Sequence, residues 1–154
     1  MNLNDSVLTG DYAIVHNVIC QYVSTFATHG FTFKGITLRN SPVLQGYPIF
    51  HFQNERTNMK INITFFHAVE GLNGGFNASI TKPVNHVINV EDYLKLHGRE
   101  TLARFFSYRD PATDIRSFAD TFMQMLCGLF DRDLKQILDG TYFEETPIDW
   151  QGYK

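Results

Sequence analysis

The stretch MKINITFFHAV, positions 59–69, decides the fold. Met59, Ile61, Ile63 and Phe65 point one way, and Lys60, Asn62 and Thr64 point the other. A side-chain period of two is that of a β-strand with one buried and one wet face. Phe76, Ala78 and Ile80 alternate with Asn77, Ser79 and Thr81 in the same manner. The wet face carries amides, hydroxyls and a lysine, with no cluster suited to obvious chemistry. It reads as a surface for contact rather than for turnover.

Outward from this stretch, the pattern predicts further strands at about 31–39, 47–55 and 76–84. Ser41-Pro42 and Gly46 punctuate the first connection, and Arg56-Thr57-Asn58 is short enough for a hairpin. Asn73-Gly74-Gly75 offers the positive backbone angles of another tight turn. No connection is long enough for a helical crossover, so the strands form an antiparallel meander. Gly35 interrupts the alternation of the first strand and predicts a bulge. Pro48 and Pro83 cannot donate to a ladder, which places them at strand ends or edges.

Helices flank the meander. Val15, Ile19, Tyr22 and Phe26 recur at helical spacing and predict a helix over roughly 10–29, stopped by Gly30 in the left-handed position. Its many β-branched residues make it a poor isolated helix, so packing onto the sheet must hold it. Asn89 suits the N-cap of a short helix through Glu91-Asp92-Tyr93-Leu94. Asp110-Pro111 predicts the start of a long helix to about Asp139, lined by Ile115, Phe118, Phe122, Leu126, Leu129, Leu134 and Ile137-Leu138 and stopped by Gly140. The aromatic tail after Gly140 is expected to fold back onto the body. The fold class is thus α+β: a four-stranded antiparallel meander at about 31–84, packed by an N-terminal helix and C-terminal helices, in a single domain over 1–154.

A chain of 154 residues with 44% hydrophobic content and 14 phenylalanines can fill a core without staples. Thirteen basic residues against 16 acidic ones, net −3, do not make the footprint of a direct nucleic-acid binder. The excess negative charge lies in residues 114–154, which hold eight acids and four bases. This is either a solvated helix and tail or a face for a basic partner. The start MNLNDSVLTGD has no basic and apolar leader, and no run is long enough to span a bilayer, so the expected location is cytoplasmic with no membrane partner. Cys20 and Cys127 fall on predicted apolar stripes and are expected to be free thiols.

The six histidines form no HxH or HExxH pair and the cysteines no CxxC, so neither a metal site nor a cofactor is expected. Gly71-Leu72-Asn73-Gly74-Gly75 leads into a strand rather than a helix, which makes it a turn and not a phosphate loop. Neither cysteine is expected to have a basic neighbour to activate it. The pairs Glu91-Asp92 and Glu144-Glu145 are adjacent in sequence and point apart. The phenylalanines lack the interleaved lysines and arginines of a stacking platform and read as core. The one enzyme alternative is a small metal-independent hydrolase or nuclease using His51 and His67, on neighbouring strands, with Asn62 or Glu55. On balance the chain is not expected to be an enzyme.

The acidic C-terminal third, the polar sheet face, the small α/β plan and the ending Glu144-Glu145-Thr146-Pro147-Ile148-Asp149-Trp150 resemble a bacterial immunity protein. Such proteins belong to contact-dependent growth inhibition and related polymorphic toxin systems. The resemblance is one of layout over the whole chain, without a diagnostic motif. It implies a one-to-one complex with a cognate toxin domain, often a basic nuclease, neutralised by protein–protein interaction. On that resemblance the toxin-binding residues are Asp131, Asp133, Asp139, Glu144, Glu145 and Asp149, with Tyr142 and Trp150 as aromatic anchors. A rival is a chaperone-like module that holds a peptide or effector against the sheet. The identity of the toxin and the oligomeric state stay open.

Overall fold

The computed structural model describes residue 8 and residues 10–40, 46–69, 71–83 and 86–139. Its centre is the expected antiparallel meander of β1 (Thr32–Arg39), β2 (Tyr47–Gln53), β3 (Lys60–Phe66) and β4 (Gly74–Lys82), in that spatial order. Two short strands complete the sheet. β5 (His86–Asn89) pairs with the Ser79–Lys82 end of β4, and β6 (Ser107–Tyr108) pairs with Gly74 and Gly75 at its other end. The fold is α+β, with α1 (Gly10–Cys20) and α2 (Val23–Thr28) before the sheet. α3 (Val90–Leu96), α4 (Glu100–Ala103), α5 (Ile115–Phe130) and α6 (Lys135–Leu138) come after β5.

The alternation sorts the sheet into two faces. Ile36, Phe50, Phe52, Ile61, Ile63, Phe65, Phe76, Ala78, Ile80 and Ile88 are buried on one. Helices cover that face, and their packing is aromatic. Phe122 of α5 stacks on Phe76 with ring centres 4.1 Å apart, Phe26 of α2 lies 4.1 Å from Phe52, and His16 of α1 stacks on Phe50 at 5.9 Å. The sheet face is thus a half-core completed by α1, α2 and α5. Of the phenylalanines read as core, Phe31, Phe50, Phe52, Phe65, Phe76, Phe106, Phe122 and Phe130 are buried, as is Phe26, whereas Phe33, Phe66, Phe105 and Phe118 are only partly buried.

Several local expectations hold in detail. Gly30 ends α2 with φ +88°, and Phe31 N–H returns to the Phe26 carbonyl at 2.9 Å, joining two buried rings across the helix end. Gly35 has φ +117° and sits at a register shift between Phe33 and Gly35, so the bulge is present. Asn89 is both the last residue of β5 and the cap of α3, its Oδ1 accepting from Asp92 N–H at 3.0 Å. Cys20 and Cys127 are free.

Other expectations need correction. The first helix is broken at Gln21-Tyr22, where tight bonds to Val18 and Ile19 carbonyls replace the α pattern and the Tyr22 hydroxyl donates to Asp120 Oδ1 at 2.6 Å. Asp110 does not start the long helix. Its carboxylate accepts from Ala112 N–H at 2.9 Å in a local turn, and Asp114 caps α5 through Ser117 N–H and Oγ. The long helix also stops at Phe130. The chain turns through 131–134, with Leu134 N–H bonded to the Leu129 carbonyl at 2.8 Å, and so buries Leu134 before α6 begins. Gly74 and Gly75 are not the turn. Gly71, with φ +81°, supplies that, inside a Val69–Leu72 bridge. Gly74 and Gly75 instead let other backbone approach β4: a Cβ on Gly75 would strike the Phe106 carbonyl, and one on Gly74 the backbone of His67 and Ala68.

Candidate functional site

Antiparallel pairing places the start of β1 beside the end of β2, with Thr32 opposite Gln53. The α2–β1 turn and the β2–β3 turn therefore meet at one end of the sheet. The C-terminal end of α5 and α6 reach the same end, and between them lies an open cleft of about 570 Å³. Phe130 and Leu138 provide apolar lining, and Thr28, His29, Gly30 and Thr32 form one wall. Asn54, Glu55 and Arg56 line it from the β2–β3 turn, with Asp131, Lys135 and Asp139 along the helical side.

The walls are held by local chemistry. Asn54 is buried, and its Oδ1 accepts from Arg56 N–H at 2.9 Å and Thr57 N–H at 3.2 Å, which fixes the β2–β3 turn. Asn58 completes that turn in the left-handed region at φ +59°. Gly30 is required twice over. Its φ is positive, and a Cβ there would come within 2.8 Å of Asn54 Nδ2. His29 lies edge-on to Phe130 with ring centres 5.1 Å apart, and its Nε2 is 3.7 Å from Asp131 Oδ1. The Asp131 side chain is nevertheless 78% exposed.

The expected binding residues are thereby divided. Asp131 and Asp139 share the cleft. Asp133 is turned elsewhere: it pairs with Arg99 Nε at 2.9 Å and ties the turn after α5 to the segment before α4. Tyr142, Glu144, Glu145, Asp149 and Trp150 lie outside the described residues. His29, Asn54, Glu55, Arg56 and Lys135 were not anticipated in this role. The available signal was topological: two predicted turns and a helix end had to meet at one edge of the meander.

The histidine pair is not assembled. His51 lies on the open face of β2, with Nδ1 2.7 Å from Asn62 Oδ1 and Nε2 2.8 Å from Thr37 Oγ1. His67 lies past the end of β3, 3.2 Å from Asp11 and against the Tyr12 ring at 4.4 Å, under α1. Five residues of extended chain separate Asn62 from His67, roughly 17 Å. Glu55 is engaged by Lys34.

The cysteines divide: Cys127 packs against the core as expected, and Cys20 does not. Cys20 is exposed rather than on the apolar stripe, and its Sγ is 3.3 Å from His16 Nε2, a basic neighbour within the same helix. Cys127 is partly covered, and desolvation pushes its thiol up to about 12. Among the described residues no group of three or more His, Cys, Asp or Glu side chains could hold a metal, and no helix is long and apolar enough to cross a membrane. Comparison with protein-family models, curated proteins and solved structures finds no match to the chain.

Proposed function

We propose that this chain is an inhibitory binding protein of the immunity type, which neutralises a basic toxin domain by occupying it with the surface around the cleft. The observation that carries the reading is the cleft itself. It gathers Glu55, Asp131 and Asp139 from two distant parts of the chain around an apolar lining of Phe130 and Leu138. Exposed carboxylates beside a concavity steer a basic partner and accelerate encounter, while an apolar floor accepts a side-chain anchor. Arg56 and Lys135 at the same cleft make its charge pattern mixed, which favours one partner over basic proteins at large.

The chaperone-like alternative needs an edge strand open to β-augmentation. β1 does stand at one end of the strand order, yet it carries a bulge, Lys34 and Arg39, devices that discourage strand addition.

The test is co-expression with the toxin domain encoded beside this chain, in a host which that toxin arrests. Growth should be rescued and the two proteins should elute as a one-to-one complex. Asp131→Lys combined with Asp139→Lys should weaken the complex by about tenfold or more, chiefly through slower, less salt-sensitive association. Unchanged affinity in that variant would remove the cleft from the interface. Failure of the unmodified chain to bind or protect would end the inhibitory reading.

A further inference from the structure

The opposite, open face of the sheet holds a second feature that owes its shape to the β1 bulge. Phe33 pairs with Phe52 and Gly35 pairs with His51, so Lys34 is the extra residue. The positive φ of Gly35, +117°, is a conformation that other residues adopt only with strain. A bulge of this kind re-aims a side chain. Here Lys34 lines a depression of about 260 Å³ together with Thr37, His51, Gln53 and Lys60. Lys34 comes from β1 and Lys60 from β3, two ladder spacings apart, or roughly 10 Å. His51 and Gln53 lie between them on β2.

The polar groups of the depression are positioned before any ligand arrives. His51 is held on both sides, with Nδ1 2.7 Å from Asn62 Oδ1 and Nε2 2.8 Å from Thr37 Oγ1. The Gln53 amide nitrogen is held 3.3 Å from Asn58 Oδ1. Lys34 is anchored by its ion pair with Glu55, yet its side chain stays 39% exposed. Two ammonium groups thus flank a row of hydrogen-bonding groups, Thr37, His51 and Gln53.

We infer that this depression binds a phosphate group. Ammonium groups recognise phosphate as compact point charges, and a doubly charged oxyanion matches two of them better than a single carboxylate does. The Glu55 carboxylate is the internal competitor, because it holds Lys34 from the far side. The depression and the cleft meet at Glu55, which lines the cleft and pairs with Lys34, so the two lysine variants, which leave the cleft lining intact, are what separate this inference from the inhibitory reading.

The experiment is a heteronuclear NMR titration of the full chain with inorganic phosphate at low ionic strength, against sodium chloride at matched ionic strength. Phosphate should give saturating shifts centred on Lys34, Thr37, His51, Gln53 and Lys60 that chloride does not reproduce. Lys60→Gln, an exposed substitution that leaves the fold intact, should weaken binding about fivefold, the size of one surface charge contact. Lys34→Gln should do the same, and Glu55→Gln should tighten binding by releasing Lys34. A parallel titration with O-phosphoserine separates the sources: tighter binding than inorganic phosphate assigns a phosphomonoester, and equal binding assigns the free ion. Shifts that chloride reproduces, or that both lysine variants leave unchanged, would overturn the inference.

Discussion

The two faces of one sheet are built from the same strands and do opposite work. On the covered face Phe50, Phe52, Phe65 and Phe76 meet the rings of α1, α2 and α5 and are nearly inaccessible to water. On the open face His51 bonds Asn62 and Thr37, while Asn89 Nδ2 donates to Asn77 Oδ1 at 2.7 Å. Burial of each aromatic side chain contributes on the order of 2–3 kcal/mol, whereas a half-exposed polar bond contributes about 1. One face therefore holds the fold, and the other can vary its chemistry at little cost to it. The cleft opens at one end of the sheet, and the lysine depression lies on the open face, where Phe52 also contributes to its lining.

The contrast between the faces is tested most severely at Phe122. Replacing it with alanine should cost about 3–5 kcal/mol, read as a lower denaturant midpoint at unchanged slope. A loss under about 1 kcal/mol would mean that the α5 contact with Phe76 is not the core. Tyr22 tests the seam between helices. Tyr22→Phe should cost roughly 1 kcal/mol by removing the bond to Asp120. Burial, and then the Asp120 carboxylate, push the Tyr22 phenol from 10.0 up to about 12. The folded state then holds this proton more tightly than the unfolded one. Its stabilising contribution is complete below pH 10 and is lost as pH rises from 10 to about 12. Alkaline unfolding followed by circular dichroism should show that decline, reduced in Tyr22→Phe.

The open face should respond less. His51→Ala, in chemical denaturation, should cost about 0.5–1 kcal/mol, because Thr37 and Asn62 regain water as a partner. A cost near that of Phe122→Ala would erase the distinction between the faces. The smallest effect on stability is expected from labelling thiols in the folded protein with a disulfide reagent near neutral pH. Exposed Cys20 should react first, and Cys127, raised to about 12 by desolvation, should lag far behind. Equal rates would show that the α5 surface around Cys127 opens freely.

The sheet was legible because β2 and β3 each alternate over seven residues with one dry side. Gly30 and Gly35 were legible because a glycine at a break in the period marks backbone that needs a positive φ. β5 and β6, four and two residues long, are too short to show a period. Asp110 and Asp114 are both good caps by residue type; only the three-dimensional turn at Asp110 shows which one begins α5. Gly74 and Gly75 read as a turn because nothing local reveals that the Phe106 backbone arrives against them. The cleft was half visible. Asp131 and Asp139 stood out by charge, but their neighbours at 28–32 and 54–56 come from segments whose meeting depends on the whole topology.

The bond from Tyr22 to Asp120 spans 98 positions of the chain, and α1 packs on α5 across a similar distance. During synthesis the hairpins of the meander can close within microseconds of their emergence. α1 cannot, because its covering helix has not yet been made. At ribosomal speeds of about 5–20 residues per second, that interval is roughly 5–20 s. For that time Val15, Val18, Ile19 and Phe26, all buried in the finished protein, have only the growing sheet to shelter them. The chain is thus built with a long open phase and a late closing step, and the nascent sheet serves as the temporary cover for its own first helix.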